Sequence, residues 1–290
     1  MYDAAFLSDP RTLQRAVGEL AVSVRRRDDA TVLDGLRQVG CLKARFPRAL
    51  VSGWIDVVTL NMSGGIAGGD RVDSTFNVRA GARASIAAQA AERFYRILPG
   101  SEPSRVRTRI AVEAGGAAEW LPQETILFDQ CALDRRLEVD LAEDAWFLAM
   151  ESLVFGRAAM GEVVDQAWLR DLIRVRRSGR LLLHDAVRLE REVAATLRRR
   201  AVADGARAVA TVLHVAPNAE TMLVPVREAL TLHLSGLREG ADARSATGEG
   251  PAHTPMRVAS ESAASASGLK LSGECIPLTR NPPGGETTKS

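Results

Sequence analysis

Apolar and polar residues alternate with a period of two in several separate stretches of the chain. Leu20, Val22 and Val24 alternate with Glu19, Ala21, Ser23 and Arg25, which gives a strand one buried face and one solvated face. Val106, Thr108, Ile110 and Val112 alternate with Arg105, Arg107 and Arg109, and Leu137, Val139 and Leu141 alternate with Arg136, Glu138 and Asp140. One-sided burial of this kind predicts antiparallel-type strands. In LIRVRRSGRLLLHDAVRL, Ser178 and Gly179 separate two such alternations and predict a hairpin turn. A further strand is predicted at Ile55 to Leu60. Three helices are predicted: Ala84 to Ile97 around an alanine-rich segment, Arg188 to Ala203 with Leu189, Val193 and Leu197 four apart, and Ala219 to Leu230. The charge-rich second one also reads as a strand pair. Strand signals outnumber helix signals, and no repeat of fixed period argues for a regular solenoid array. The pattern predicts one mainly β domain over residues 12–234.

After about Leu234 the pattern stops. Stretches such as SATGEGPAHTP, ASESAASASG and NPPGGETTKS carry too few large apolar groups to offset the entropy of ordering them, so residues 235–290 are predicted to be a disordered tail. The whole chain, 290 residues with 46% hydrophobic and 26% charged content, has the composition of a soluble globular protein. A balance of 38 basic against 36 acidic residues offers no global field for nucleic acid or an anionic membrane, so neither is expected as a partner. Cys41, Cys131 and Cys275 lie far apart, so neither a disulfide framework nor a zinc knuckle is indicated and a reducing compartment fits best. The first residues have no basic start followed by an apolar run. The longest uncharged stretch, Val57 to Gly69, is too short and too glycine-rich to span a bilayer, and a cytoplasmic protein is expected.

The chemistry-bearing segments are few. NMSGGIAGGDR at 61–71 looks like a phosphate loop, but a Walker loop needs lysine after its last glycine and here Asp70 would repel phosphate. The simpler reading is a tight turn in which Gly64, Gly65, Gly68 and Gly69 permit positive φ and close backbone approach. The same turn also places Asp70. Ser63 lacks the GxSxG elbow, and none of His184, His214, His233 and His253 has a second histidine at metal-pair spacing. Glu92, Glu124, Asp129 and Glu162 lie in separate segments and form no acid and base pair by spacing alone. Arg25-Arg26-Arg27 and Arg198-Arg199-Arg200 read as solvated faces, because no aromatic residues interleave with them.

Five blocks in order add to this reading: CLKARFPR at 41–48, NMSGGIAGGDR at 61–71, AAQAAERFYR at 87–96, EWLPQETILFD at 119–129 and ESLVFGRAAMGE at 151–162. Together with VLHVAPNAETMLVPVREAL at 212–230, they resemble the UreD (UreH) family of urease accessory proteins, from about Gln14 to about Leu232. The resemblance implies a mainly β fold of layered, β-helix-like wound strands with two or three α-helices. It also implies no catalytic activity and no tightly bound cofactor. The implied role is a scaffold that acts with UreF and the GTPase UreG on urease apoprotein, helping nickel reach the site being built.

On that reading Asp70 is the first candidate for a transient Ni²⁺ path, and Glu92, Glu124 and Glu162 follow because they sit inside matched blocks. Gly64, Gly65, Gly68, Gly69, Gln89, Arg93, Tyr95, Arg157 and Glu162 are candidates for packing or partner contact. Arg157 is expected to pair with Glu162 or Glu151. The chain departs from the family at Ala87-Ala88, where threonines usually precede the glutamine, and after the VREAL segment, where relatives continue with further strands. Two alternatives stay open: a β-helical enzyme acting on a polysaccharide, and a truncated or frame-shifted family member with impaired activity.

Overall fold

The computed structural model describes residues 15–229 and, beyond them, the short strands 256–261 and 275–276. In chain order the strands begin with β1 (Val17–Arg27), β2 (Ala30–Gly40), β3 (Leu42–Arg45), β4 (Ile55–Asn61), β5 (Arg71–Val78) and β6 (Arg83–Ala88). They continue with β7 (Glu92–Phe94), β8 (Ser104–Val112), β9 (Ala117–Leu121), β10 (Thr125–Leu127), β11 (Cys131–Leu141) and β12 (Trp146–Phe155). The hairpin β13 (Ala167–Arg177) and β14 (Arg180–Glu190) leads to the helix α1 (Val193–Arg198) and to β15 (Ala208–Val215). A 3-10 turn at Ala219–Met222 opens the helix α2 at 223–229. Last come β16 (Met256–Glu261) and β17 (Cys275–Ile276).

The strands form two mixed sheets whose apolar faces share one core. The first sheet has the order β14-β13-β11-β8-β5-β1-β2, and the second β17-β16-β15-β12-β9-β6-β4-β3. From β4 to β13 the chain alternates between them, with the short β7 and β10 joining the second sheet at its side. Each return lays a new strand parallel to the previous one in the same sheet: β5, β8, β11 and β13 in the first, and β4, β6, β9 and β12 in the second.

This corrects the antiparallel expectation for Val106–Val112 and Leu137–Leu141, which pair parallel with each other. Parallel sheets usually read as apolar on both faces because helices cover both. Here a second sheet covers one face and solvent meets the other, so the alternation survives in a parallel setting.

The predicted helix over Ala84–Ile97 is instead β6 and β7. Alanine favours helix locally, but β6 lies between β4 and β9 with every residue in register, and sheet pairing overrides the propensity. The helix predicted over Arg188–Ala203 is reduced to α1, because β14 runs on to Glu190 beside β13. Ala219–Leu230 is helical over its described part, and the Ser178-Gly179 hairpin forms with φ of 48° and 77°. Most of the predicted tail, 235–290, lies outside the described residues. Within it, a segment given no strand by its sequence, β16, pairs parallel with β15.

Register rows explain where the interior changes character. Val22, Phe76, Ile110, Val139 and Val175 face inward in one row across the first sheet, opposite Val57, Ile86, Trp120, Ala149 and Leu213 in the second. Further along the same strands the inward row reads Val72, Val106, Arg135 and Asp171. This charged row interrupts the apolar core, which resumes beyond it at Leu133 and Leu169.

Candidate functional site

The charged row borders a cavity of about 270 Å³ between the sheets. Arg135 from β11 stands at its inner wall, 9% exposed, and donates to Asp171 of β13 through Nε at 2.8 Å and Nη2 at 2.7 Å. Its Nη1 donates across to the second sheet, to Glu151 Oε2 at 2.6 Å and Thr125 Oγ1 at 2.9 Å. The Trp120 indole N–H donates to Glu151 Oε1 at 2.6 Å. One cation thus holds two carboxylates in the interior, where every oxygen of the pair Asp171 and Glu151 has a donor. Burial pushes the Glu151 carboxyl up, and Arg135 pulls it back without restoring the ordinary value. Arg135 stays charged: burial opposes its charge, but Asp171 and Glu151 outweigh that. A second, smaller cavity lies on the far side of this cluster, also lined by Arg135, Glu151 and Asp171.

Glu92, at the start of β7, lines the larger cavity. Asn61 Nδ2 donates to both of its carboxylate oxygens at 3.1 Å. Burial raises the Glu92 carboxyl, and the hydrogen bonds from Asn61 and the Arg93 backbone only partly offset this. Gln89, Gly64 and Gly65 lie on the same wall. The site therefore joins the glycine loop, the glutamine block and the EWLPQET block, which are far apart in sequence.

Asp70 is buried, with 5% exposure, and its two oxygens face backbone: Oδ1 accepts from the Ala16 N–H at 2.8 Å and Oδ2 from the Ala67 N–H at 2.7 Å. Both oxygens thus hold the loop to backbone N–H groups. Gly65 has φ of 141°, and a Cβ there would lie 2.3 Å from Tyr95 Cε2; a Cβ on Gly68 would lie 2.6 Å from Ile97 Cγ2. Gly64 and Gly69 also have positive φ. The Tyr95 hydroxyl donates to the Gly64 carbonyl at 3.0 Å, and its ring meets Phe128 edge-on at 5.1 Å. Tyr95 thereby latches the glycine loop to the Phe128 segment. Arg93 is exposed, and its carbonyl accepts from the Ile66 N–H.

Glu124 lies outside this cluster of charges, and its carbonyl accepts from the Glu92 N–H at 3.0 Å. Arg157 pairs with Glu162 at 2.7 Å and lies over the Phe128 ring at 4.4 Å. The alternative pairing with Glu151 is not formed, since Glu151 is held by Arg135, and the Arg157 end of the pair is exposed rather than buried. Burial acts to raise the Glu162 carboxyl, but hydrogen bonds from Arg157 and from the Asp129 and Arg157 backbone outweigh it and hold the group below its ordinary value.

Arg135, Asp171, Thr125 and Trp120 were not singled out from the sequence. A signal existed: in Leu133-Arg135-Leu137 and Leu169-Asp171-Ile173 a charge of each sign occupies the apolar phase of a strand. Among the described residues no group of three or more His, Cys, Asp and Glu side chains is arranged to hold a metal ion. Burial pushes the Cys131 thiol up to about 12, so without a bound metal it is a neutral thiol at neutral pH. No helix among the described residues is long and apolar enough to cross a membrane.

Residues 16–271 match the family model described as UreD urease accessory protein. The chain is 43% identical over 225 residues to the urease accessory protein UreD of Sinorhizobium medicae, covering 77% of this chain and 80% of that protein. It is 41% identical over 229 residues to that of Rhizobium rhizogenes, covering 79% and 83%, and 42% identical over 218 residues to that of Roseobacter denitrificans, covering 75% and 79%. The family match runs from β1 to β16 and takes in the cavity between the sheets, and the chain belongs to the UreD family of urease accessory proteins.

Proposed function

We propose that this chain is a cytoplasmic, non-enzymatic scaffold for urease maturation, which works with UreF and the GTPase UreG on urease apoprotein during nickel incorporation. The observation that carries the reading is the match to UreD proteins along nearly the whole described domain. The succession of strands between two layered sheets supports it by framing an interior that stays open beside its charged row.

Nickel is the cargo in this reading. A carrier surface should offer single hard oxygen ligands rather than a closed cage of soft ones, so that the ion is released onward. Of the four carboxylates read from the sequence, Glu92 faces the cavity, and we assign transient contact with Ni²⁺ to it. Asp70, Glu124 and Glu162 are assigned to holding the loops around that cavity.

The test is co-expression of the tagged full chain with UreF, UreG and urease apoprotein. UreF and UreG are expected to be retained together, and urease to be activated only when the chain is present. Retention of neither, with activation unchanged when the chain is omitted, overturns the reading. Glu92→Gln is expected to slow activation while both partners are still retained; full-rate activation by that variant removes Glu92 from the nickel path.

A further inference from the structure

The outer face of the first sheet carries a row of arginines that the interior chemistry does not use. Arg71, Arg105, Asp134, Arg170 and Arg188 are register partners on β5, β8, β11, β13 and β14. At about 4.8 Å between strands the row spans about 19 Å. All four arginines are exposed. Asp134, in the middle, is committed elsewhere: Arg107 holds it at 2.6 Å and Arg136 lies 3.6 Å away. Arg188 pairs with Glu190 at 2.7 Å, whereas Arg71, Arg105 and Arg170 form no ion pair among the described residues. The protein as a whole is nearly neutral, at +2, so this concentration of cation is local.

We infer that this arginine row is a docking surface for an acidic patch on a partner protein. Rows of carboxylates on a protein surface complement fixed guanidinium forks, which bind them bidentately. Trp168 lies on the same outward phase of β13 as Arg170 and is only partly buried. Tryptophan beside arginine is the composition of an interface anchor.

A polyphosphate chain fits less well. Among the described residues of this face, Trp168 is the one aromatic side chain available for base stacking. The surface stands apart from the nickel role and can be tested without it.

The experiment uses the full chain. Binding is measured to UreF, UreG and urease apoprotein separately, and to two chemical probes, a poly-glutamate peptide and a single-stranded DNA oligonucleotide, at low and high salt. Arg105→Glu with Arg170→Glu is compared with Arg180→Glu at the exposed hairpin tip as a control. The double reversal is expected to weaken binding of poly-glutamate and of at least one of the three proteins by about tenfold or more, with a steep loss in salt. The control and the unfolding midpoint are expected to stay unchanged. Should the double reversal unfold the chain, Arg105→Gln with Arg170→Gln is read in its place.

Wild-type binding by the reversal variant to all three proteins and to poly-glutamate overturns the inference, as does tighter wild-type binding to the oligonucleotide than to poly-glutamate. If none of the three proteins binds while poly-glutamate does so through the arginines, the maturation reading fails and the surface stands.

Discussion

The Arg135 guanidinium grips Asp171 through two parallel hydrogen bonds, 2.8 and 2.7 Å long, from adjacent parallel strands in the interior between two sheets. The third arm of Arg135 reaches Glu151 on the opposite sheet at 2.6 Å, so the cluster ties the layers together beside the cavity. Removing the cation leaves two buried carboxylates uncompensated. Arg135→Leu is expected to cost about 3–5 kcal/mol of stability, read as a fall in the denaturant midpoint. Adding Asp171→Leu and Glu151→Gln to it should recover a large part of that loss. No recovery would mean that the arginine contributes packing rather than charge compensation.

Glu92 gives a pH signature of definite sign. Its carboxyl is raised chiefly by burial, so it binds a proton more tightly in the folded chain than in the unfolded one. Such a group contributes stability that is fully present below the ordinary value of 4.5 and is lost as pH rises through the raised folded value. Glu92→Gln removes this dependence. Its stability is expected to gain on the wild type as pH goes from 4.5 toward neutrality, which paired unfolding curves across that range will read. Curves that stay parallel would show that the carboxyl is well solvated in the folded state.

The glycine loop separates steric contact from backbone strain. Gly68 has an ordinary φ but would press a Cβ to within 2.6 Å of Ile97, whereas Gly65 combines a 2.3 Å approach to Tyr95 with φ of 141°. Gly68→Ala is expected to destabilise by roughly 1–3 kcal/mol and to be largely relieved by Ile97→Ala. Gly65→Ala should be relieved only in part by Tyr95→Ala, because the backbone strain remains. Equal rescue at the two sites, measured by thermal unfolding, would contradict this division.

Asp70→Asn replaces a charged acceptor of two backbone hydrogen bonds with an amide that can accept at only one side. A loss of roughly 1–3 kcal/mol is expected, with urease activation in cells falling only in step with the amount of folded protein. Lost activation at an unchanged midpoint would instead place the carboxylate on the nickel path.

Arg157→Ala removes one exposed ion pair and one contact with the Phe128 ring, so the unfolding midpoint is expected to fall by the equivalent of about 1 kcal/mol or less, with UreF retention unchanged. Lost retention at the wild-type midpoint would make Arg157 an interface residue.

The sequence by itself determined which residues face inward in the strands with a clear alternation, such as β1 and β11. Leu20, Val22 and Val24, or Leu137, Val139 and Leu141, declare a buried face by spacing alone, and Ser178-Gly179 declares a turn through its tolerance of positive φ. The order of the five blocks also carried the family, because each block holds its residues within one short segment.

Which strand lies beside which was decided only in three dimensions. Periodicity encodes a face and no neighbour, so β8 and β11 looked like antiparallel strands until the return of the chain through the second sheet set them parallel. The starts of the parallel strands, at Arg71, Ser104, Cys131 and Ala167, are unevenly spaced and leave no period to read. For the same reason the meeting of Arg135, Asp171 and Glu151 was invisible locally: each is a lone charge in an apolar phase, and only strand register and the facing sheet make them one compensated group. The alanine-rich segment at β6 went the other way, its local preference for helix overridden because Ala84 to Ala87 pair with β4 on one side and β9 on the other.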